Sequence, residues 1–308
     1  MIGAELTGGD DSIATGRAAP RPGPSASTTD VRTDSAATEI AEWSAGYVRR
    51  HPGQSFITVG EQIKLGIETF RHLFTDLVRG RFPLEAFIRE SVFMANTALL
   101  PTFFVAIPIG VTLAIQFSLL AGQVGATSLA GAASGLAVIR QGAPLVTALM
   151  MAAAVGSAIC ADLGSRTIRE EIDAMRVMGV SPVRRLVVPR LAAAMVVGTA
   201  LTGIVTFVGF LAGYLFNVYV QDGAPGSFVA TFASFATVGD MVLTLVKALV
   251  FGMIVAIVAC QKGLATSGGP AAVANSVNST VVGSIMLLML VNVLFTQMYV
   301  MVFPRASF

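Results

Sequence analysis

After residue 90 the chain consists of long apolar runs separated by short polar stretches. A helix that crosses a bilayer needs roughly 20 predominantly apolar residues. Five runs are of about that length: residues 92–121, 143–161, 191–220, 238–259 and 277–302. Pro101 and Pro108 interrupt the first run, which is therefore either one kinked helix or two shorter pieces. The pattern predicts an all-α, multi-pass membrane protein with about five transmembrane helices in residues 91–308.

An amphipathic periodicity precedes the first run, between residues 55 and 82. Apolar side chains recur there at helical spacings of three and four, at Val59, Ile63, Ile67, Phe70, Phe74 and Leu77. The charged side chains on the other face are too many for a helix that crosses the bilayer. We expect an interfacial helix on the membrane surface, within a region from residue 43 to residue 90. A helix of a soluble domain is the alternative, but the pattern offers no other soluble element for it to pack on.

Two polar or small-residue stretches flank the predicted helices. Residues 1–42 are rich in Ala, Ser, Thr, Gly, Pro and acids, and we expect a disordered acidic cytoplasmic tail. Residues 122–142 are rich in Gly, Ala and Ser, and we expect a short, partly re-entrant connection between the first two spans.

Charged residues make up 12% of the sequence and apolar residues 54%, whereas soluble domains carry about 25% charged residues. This composition excludes a soluble enzyme, a disordered chain and a disulfide scaffold. A net charge of +2 gives no reason to expect nucleic acid as a partner. With the N-terminus in the cytoplasm, 17 basic residues fall on the inner side and two, Arg140 and Arg305, on the outer side. The positive-inside rule therefore predicts a multi-pass plasma-membrane (inner-membrane) protein with a cytoplasmic N-terminus and an outer C-terminus.

Motifs for catalysis are missing from the sequence. The lysines follow no Gly-rich phosphate loop, and neither histidine begins an HExxH metal-binding pattern. We therefore expect no catalytic residue, no metal site and no cofactor bound by this chain.

The loop after the second run contains the densest cluster of charges beyond residue 90. Ile168, Ile172, Met175 and Met178 recur there at helical spacing, and Gly179 is a typical helix terminator. We predict a short capped helix at about residues 166–179, held between two spans. A Met-rich edge beside charges suits docking into the groove of a partner protein. A plain solvated loop helix is the alternative.

The same loop carries a family resemblance. The run from Glu170 to Met175, with Gly179, Pro182 and the run from Leu186 to Arg190, resembles the signature of the MlaE/YrbE family of ABC-transporter permeases. Residues 247–252 and 263–270 are similar to that family's fourth span and the loop after it. The acidic tail is longer than in compact members, and the chain looks most like the actinobacterial YrbE proteins of Mce lipid-transport systems.

This resemblance implies an MlaE-type permease fold and a set of partners. Family permeases pair with a second YrbE-type permease, and here the second chain would be identical or related. Each permease sits on a separate cytoplasmic ABC ATPase, which would bind ATP and Mg, and extracytoplasmic MCE-domain proteins carry lipid on the outer side. The loop helix would be the coupling helix that rests on the ATPase, with Arg169, Glu170, Glu171, Ile172, Asp173, Met175, Arg176 and Gly179 as coupling residues.

The resemblance also implies a lipid cavity at the dimer interface, lined chiefly by the first and fifth spans. The candidate lining residues are Phe103, Phe104, Ile107 and Gln116 in the first span and Leu294 and Met298 in the fifth. Plain helix packing or a lipid-facing surface is the alternative for each of them. Lys247 lies within the fourth span, where a lone charge costs about 2.5–3.5 kcal/mol on insertion scales. It either snorkels to the outer headgroups or acts near the cavity.

These observations favour the non-catalytic permease subunit of an ABC-type Mce/Mla lipid transporter. Its cargo would be a membrane lipid such as a fatty or mycolic acid, a sterol or a phospholipid, and import is the favoured direction. A self-contained secondary transporter of a hydrophobic substrate is the alternative, which would predict inverted repeats and acids at mid-membrane depth.

Overall fold

The computed structural model describes residues 60–76, 78–79, 82–126, 129–221 and 223–302, which are almost entirely helical. All of them belong to one of the two units into which the chain divides, the unit from Thr58 to Phe308. The predicted tail at residues 1–42 lies outside the described residues, as do Val59 and Leu77 of the predicted amphipathic face.

Eight helices follow one another in the described residues. They are α1 (60–76), α2 (Leu84–Gln123), α3 (Ala130–Ile168), α4 (Glu171–Val177), α5 (Val183–Val220), α6 (Pro225–Phe235), α7 (Val238–Leu264) and α8 (Pro270–Val302). Helices α2, α3, α5, α7 and α8 are each long and apolar enough to cross a membrane. The predicted fold class, an all-α membrane protein with five spans, is therefore confirmed.

Helix α2 is one continuous helix of 40 residues with both prolines inside it. It lies along α5, and the two backbones meet where Gly110 faces Gly209. A Cβ atom added to Gly110 would lie 2.8 Å from the Cα atom of Gly209, closer than any ordinary contact. Small residues at this point allow the helices to approach as closely as apolar spans often do in lipid.

Helix α3 is longer than the sequence pattern predicts, because it begins at Ala130 and not near residue 143. The predicted connection at residues 122–142 is therefore wrong over most of its length. The first turns of α3 pack on α6, a helix that the pattern also missed: a Cβ atom added to Gly131 would lie 2.8 Å from the Cα atom of Phe228. Small residues contribute little hydropathy, and Arg140 interrupts the apolar run, so the predicted span began more than three helical turns too late.

The core of the bundle lies between α3, α5 and α7. Met151 and Val155 of α3, Leu191 of α5, and Phe251 and Val255 of α7 are fully buried there. Helix α1 lies beside α7, since a Cβ atom on Gly66 would lie 3.2 Å from Cδ1 of Ile257. This packing places the turn between α3 and α5 at one end of the bundle, called here the α4 end.

Candidate functional site

The α4 end is formed by a sharp break between α3 and α4. Helix α3 ends at Ile168, a turn follows, and α4 begins at Glu171, so the helix predicted at about residues 166–179 is shorter than expected. Glu170 adopts a left-handed backbone with φ of 60°, which residues other than glycine rarely do. Gly179, with φ of 75°, ends the segment as predicted. The two left-handed residues hold α4 as a short element between two spans.

The predicted apolar edge of α4 is partly buried and partly exposed. Ile172 is fully buried and fixes α4 to the bundle. Met178 of that edge points away from the bundle with 69% of its surface exposed, and so does the neighbouring Val177, which is 90% exposed. Met175 is half-buried between the two. The tip of α4 therefore presents an apolar patch to its surroundings.

Ion pairs surround this patch. Arg169 pairs with Glu171 at 3.1 Å and Arg176 with Asp173 at 2.8 Å. The acids lie in the first turn of α4 and Arg176 in its last turn, an order that complements the helix dipole. The eight predicted coupling residues all lie on α4 or in the turns beside it. Their role as contacts for an ATPase stays a prediction.

A buried arginine to which the sequence pattern assigned no role of its own lies beneath α4, at the end of the signature run. The guanidinium of Arg190, on α5, forms an ion pair with Glu90 Oε1 of α2 at 3.1 Å and donates a hydrogen bond to Asp162 of α3. Only 3% of the Arg190 surface is exposed. Three spans are thus joined by one cation, and Asp162 also accepts from Arg166 at 3.1 Å. An arginine at the start of an apolar run was the available signal.

Helix α1 is attached to the same end by a second ion pair. Arg184 donates to both carboxylate oxygens of Asp76, with its Nε atom 2.9 Å from Oδ2. The hydrogen bonds from Arg184 hold the pKa of Asp76 below its ordinary value of 3.8, although burial of the carboxylate opposes this. The predicted interfacial helix is therefore bound to the start of α5 by a charged contact.

Polar side chains from α3, α7 and α8 meet at the opposite end of the bundle. The Nζ atom of Lys247 donates to Thr296 Oγ1 at 2.8 Å, to Asn292 Oδ1 at 3.2 Å and to the carbonyl of Arg140 at 3.4 Å. Lys247 is 1% exposed. Its ammonium group ends inside the bundle and does not reach outward along the helix.

A salt bridge lies next to this lysine. Arg140 Nε donates to Asp240 Oδ1 at 2.7 Å, and the hydroxyl of Tyr299 donates to the same oxygen at 3.1 Å. The second oxygen of Asp240 accepts from the backbone and the hydroxyl of Thr237, which caps α7. Arg140 lies in a π-helical segment of α3, Val138–Gly142, and its carbonyl accepts the hydrogen bond from Lys247.

A cavity of about 370 Å³ opens at this polar cluster, between α2, α3, α7 and α8. Its polar lining comes from the side chains of Arg140, Gln141, Lys247, Thr296 and Tyr299. The rest of its lining is apolar and consists of Phe117, Ala133, Leu136, Ala137, Leu243 and Val300.

The predicted cavity residues are distributed over separate surfaces. Phe103 and Ile107 line an apolar groove of about 500 Å³ between α2 and α5. Lys247 lines the polar cavity. Phe104, Gln116, Leu294 and Met298 are exposed on the outside of α2 and α8. The described chain thus does not bring the first-span and fifth-span candidates into one cavity, and their contact with lipid cargo stays a prediction.

Comparison with known proteins identifies relatives over most of the spans. The family model for permease MlaE matches residues 87–298. A probable ABC transporter permease protein of Synechocystis sp. is 31% identical over 225 residues, which are 73% of this chain and 84% of that protein. A probable ABC transporter permease protein of Rickettsia conorii is 29% identical over 229 residues, 73% of this chain and 87% of that protein. The chloroplast protein TRIGALACTOSYLDIACYLGLYCEROL 1 of Arabidopsis thaliana is 29% identical over 177 residues, 58% of this chain and 51% of that protein.

Proposed function

The chain belongs to the MlaE permease family, and from this premise we propose that it is the membrane permease subunit of an ABC-type lipid transporter of the Mce/Mla kind. A separate cytoplasmic ATPase docks on α4 and supplies the energy. A second permease chain, identical or related, completes the membrane part, and MCE-domain proteins deliver lipid on the outer side. The cargo is a hydrophobic lipid, and the direction is import across the inner membrane.

The geometry of α4 is the observation that carries this proposal. A protein whose helices are held in a membrane receives work from a soluble ATPase only through an element that protrudes from the spans and is rigidly attached to them. Helix α4 has both properties, because Val177 and Met178 protrude while Ile172 is buried. Arg190 beneath it joins α2, α3 and α5, so displacement of this end moves three spans together.

The lipid cargo is supported by the apolar surfaces of the bundle and by one relative. A groove of about 620 Å³ between α1, α7 and α8 and one of about 500 Å³ between α2 and α5 are lined almost entirely by apolar side chains. Such surfaces suit acyl chains. The name of the Arabidopsis relative contains that of a membrane lipid, trigalactosyldiacylglycerol.

Charge placed on the exposed tip of α4 tests the ATPase contact. We expect Val177→Asp to reduce the amount of ATPase that co-purifies with the tagged chain at least tenfold, because a buried carboxylate at an apolar interface is strongly unfavourable. The matched control is Val124→Asp, since Val124 is a similarly exposed valine at the opposite end of the bundle. The measurement is the ratio of ATPase to permease after affinity purification from the native membrane.

Two results would contradict the proposal. Wild-type chain that brings down no ATPase would favour a self-contained transporter. Equal ATPase recovery with Val177→Asp and Val124→Asp would remove α4 from the contact.

A further inference from the structure

The polar cavity holds a positive charge that the described residues do not neutralise. Arg140 is matched by Asp240, whereas Lys247 forms no ion pair in the part of the chain that the structure describes. Its three hydrogen-bond partners are a neutral amide, a hydroxyl and a backbone carbonyl. Asp240 is seven residues earlier on the same helix, about 10 Å along its axis. A buried ammonium without a counter-charge is unfavourable and is expected to be stabilised by an anion.

A ligand would reach the ammonium group of Lys247 through the cavity. Lys247 lines it together with Arg140 and Tyr299, and no described lining residue is acidic. The hydrogen bond from Lys247 to the Arg140 carbonyl is the longest of the three, at 3.4 Å. An incoming oxyanion would most readily replace this bond while the bonds to Thr296 and Asn292 keep the ammonium in position.

The rest of the cavity lining is apolar and would contact the part of the ligand that follows its anionic group. Phe117, Leu136, Leu243 and Val300 form an apolar wall around the polar cluster. The volume of about 370 Å³ lies within the range of small-molecule pockets, which is roughly 300–1,000 Å³. It is large enough for a headgroup and part of one chain.

We propose that this cavity binds the oxyanion headgroup of an amphiphile, a carboxylate or a phosphate, with Lys247 as the charge partner and the apolar wall against the first part of the chain. The inference rests on the proposed function, because it names the charge class of the lipid cargo. Neutral lipids of the same chain length bind less tightly than anionic lipids, because they leave the charge of Lys247 uncompensated.

Binding of matched single-chain ligands to the full chain, purified in nanodiscs of uncharged lipid, tests the proposal. The three probes are palmitate, hexadecyl phosphate and hexadecanol, which differ in the headgroup alone. We expect at least one of the two anions to bind about tenfold or more tightly than hexadecanol, a difference of about 1.4 kcal/mol. The anion that binds more tightly identifies the headgroup as carboxylate or phosphate.

Variants of Lys247 assign the preference to this residue. Lys247→Met is expected to abolish the difference between anion and alcohol, and Lys247→Arg to retain it. The matched control is Lys262→Met, at the α4 end of the same helix, which is expected to bind like wild type. Lys247→Gln keeps hydrogen-bond donors without the charge and serves as the second neutral variant if Lys247→Met does not fold.

Two outcomes would overturn the proposal: hexadecanol bound as tightly as both anions by the wild-type chain, or an anion preference that survives in both neutral variants. Neither outcome depends on the ATPase. A chain that co-purifies with its ATPase but shows no anion preference would therefore refute this inference alone and leave the proposed function standing.

Discussion

At the scale of single residues, the buried charged side chains of this protein differ in their hydrogen-bond and ion-pair partners. Lys247 is enclosed and bonded to neutral groups, and Arg190 is enclosed between two carboxylates. Asp76 is likewise buried, and it accepts from Arg184 through both oxygens. Buried ions are energetically expensive unless they are paired. The paired residues therefore stabilise the fold, whereas the ammonium of Lys247, which forms no ion pair within the described residues, is suited to binding an anion.

The pairing of Asp76 predicts a pH-dependent contribution to stability. Because the folded-state pKa of Asp76 is lowered, the contribution is present above the unfolded pKa of 3.8 and is lost as the pH falls through the folded value. We expect Asp76→Asn to lower the melting temperature at neutral pH, and the gap from wild type to close in strong acid. The measurement is thermal unfolding of the purified protein over a pH series.

The matched control for this variant is Glu85→Gln, whose carboxylate pairs with Arg89 on an exposed surface. Exposed pairs contribute little, so its melting temperature should follow wild type at every pH. A gap for Asp76→Asn that stays constant down to strong acid would show that the carboxylate charge is not the source of its effect.

At the scale of helices, the α4 end is stabilised by contacts between elements rather than within them. Arg190 connects α2, α3 and α5, and Arg184 connects α5 with α1. Helix α4 itself has seven residues, too few to be stable alone, and it depends on the burial of Ile172. Forces applied to α4 are therefore transmitted to the spans by this charged layer.

Removing the guanidinium of Arg190 is expected to destabilise the bundle. Arg190→Met leaves the carboxylate of Glu90 without its ion pair and leaves Asp162 with Arg166 alone. Breaking a fully buried pair costs about 3–5 kcal/mol, and we expect a smaller loss here because both carboxylates are partly exposed. Arg169→Met is the control, because its pair with Glu171 is exposed and contributes about 1 kcal/mol or less. The measurement is the free energy of unfolding in mild detergent.

A second substitution separates lost charge pairing from lost packing. Adding Glu90→Gln to Arg190→Met removes one stranded carboxylate, and we expect it to restore part of the lost stability. Unchanged or lower stability of the double variant would assign the effect of Arg190→Met to packing.

For the whole molecule, the α4 end and the polar cavity lie toward opposite ends of a bundle of five candidate spans. The five helices are long and apolar enough to cross a membrane, and basic side chains concentrate at the α4 end. The positive-inside rule therefore predicts that the α4 end faces the cytoplasm and the cavity opens near the outer face.

Cysteine labelling in intact cells checks this orientation. We expect Val124→Cys to react with a membrane-impermeant maleimide and Val177→Cys to react only after the membrane is permeabilised. Native Cys160 and Cys260 are both fully buried, which keeps the background low. Labelling of Val177→Cys in intact cells would reverse the predicted orientation.

The sequence pattern predicted the five spans and the capped element after the second span, because hydropathy and helix ends depend on residues close together in the chain. It placed the start of α3 too late and missed α6, since small residues such as Gly131 owe their helical packing to a distant partner, Phe228. The α4 residues were found from local spacing. Their division into buried Ile172 and exposed Val177 was not, because burial depends on neighbouring spans.

By itself, the sequence determined that this chain lies in a membrane, how many times its helices can cross it, and that a short element breaks the spans at Gly179. Tertiary structure alone decided the partners of the charged residues. Arg140 and Asp240 are 100 positions apart, and Arg184 and Asp76 are 108 apart. Pairing over such separations depends on how the helices pack, which no local pattern of apolar and polar positions encodes. For the same reason the uncompensated charge of Lys247, and the cavity beside it, became visible only in the folded bundle.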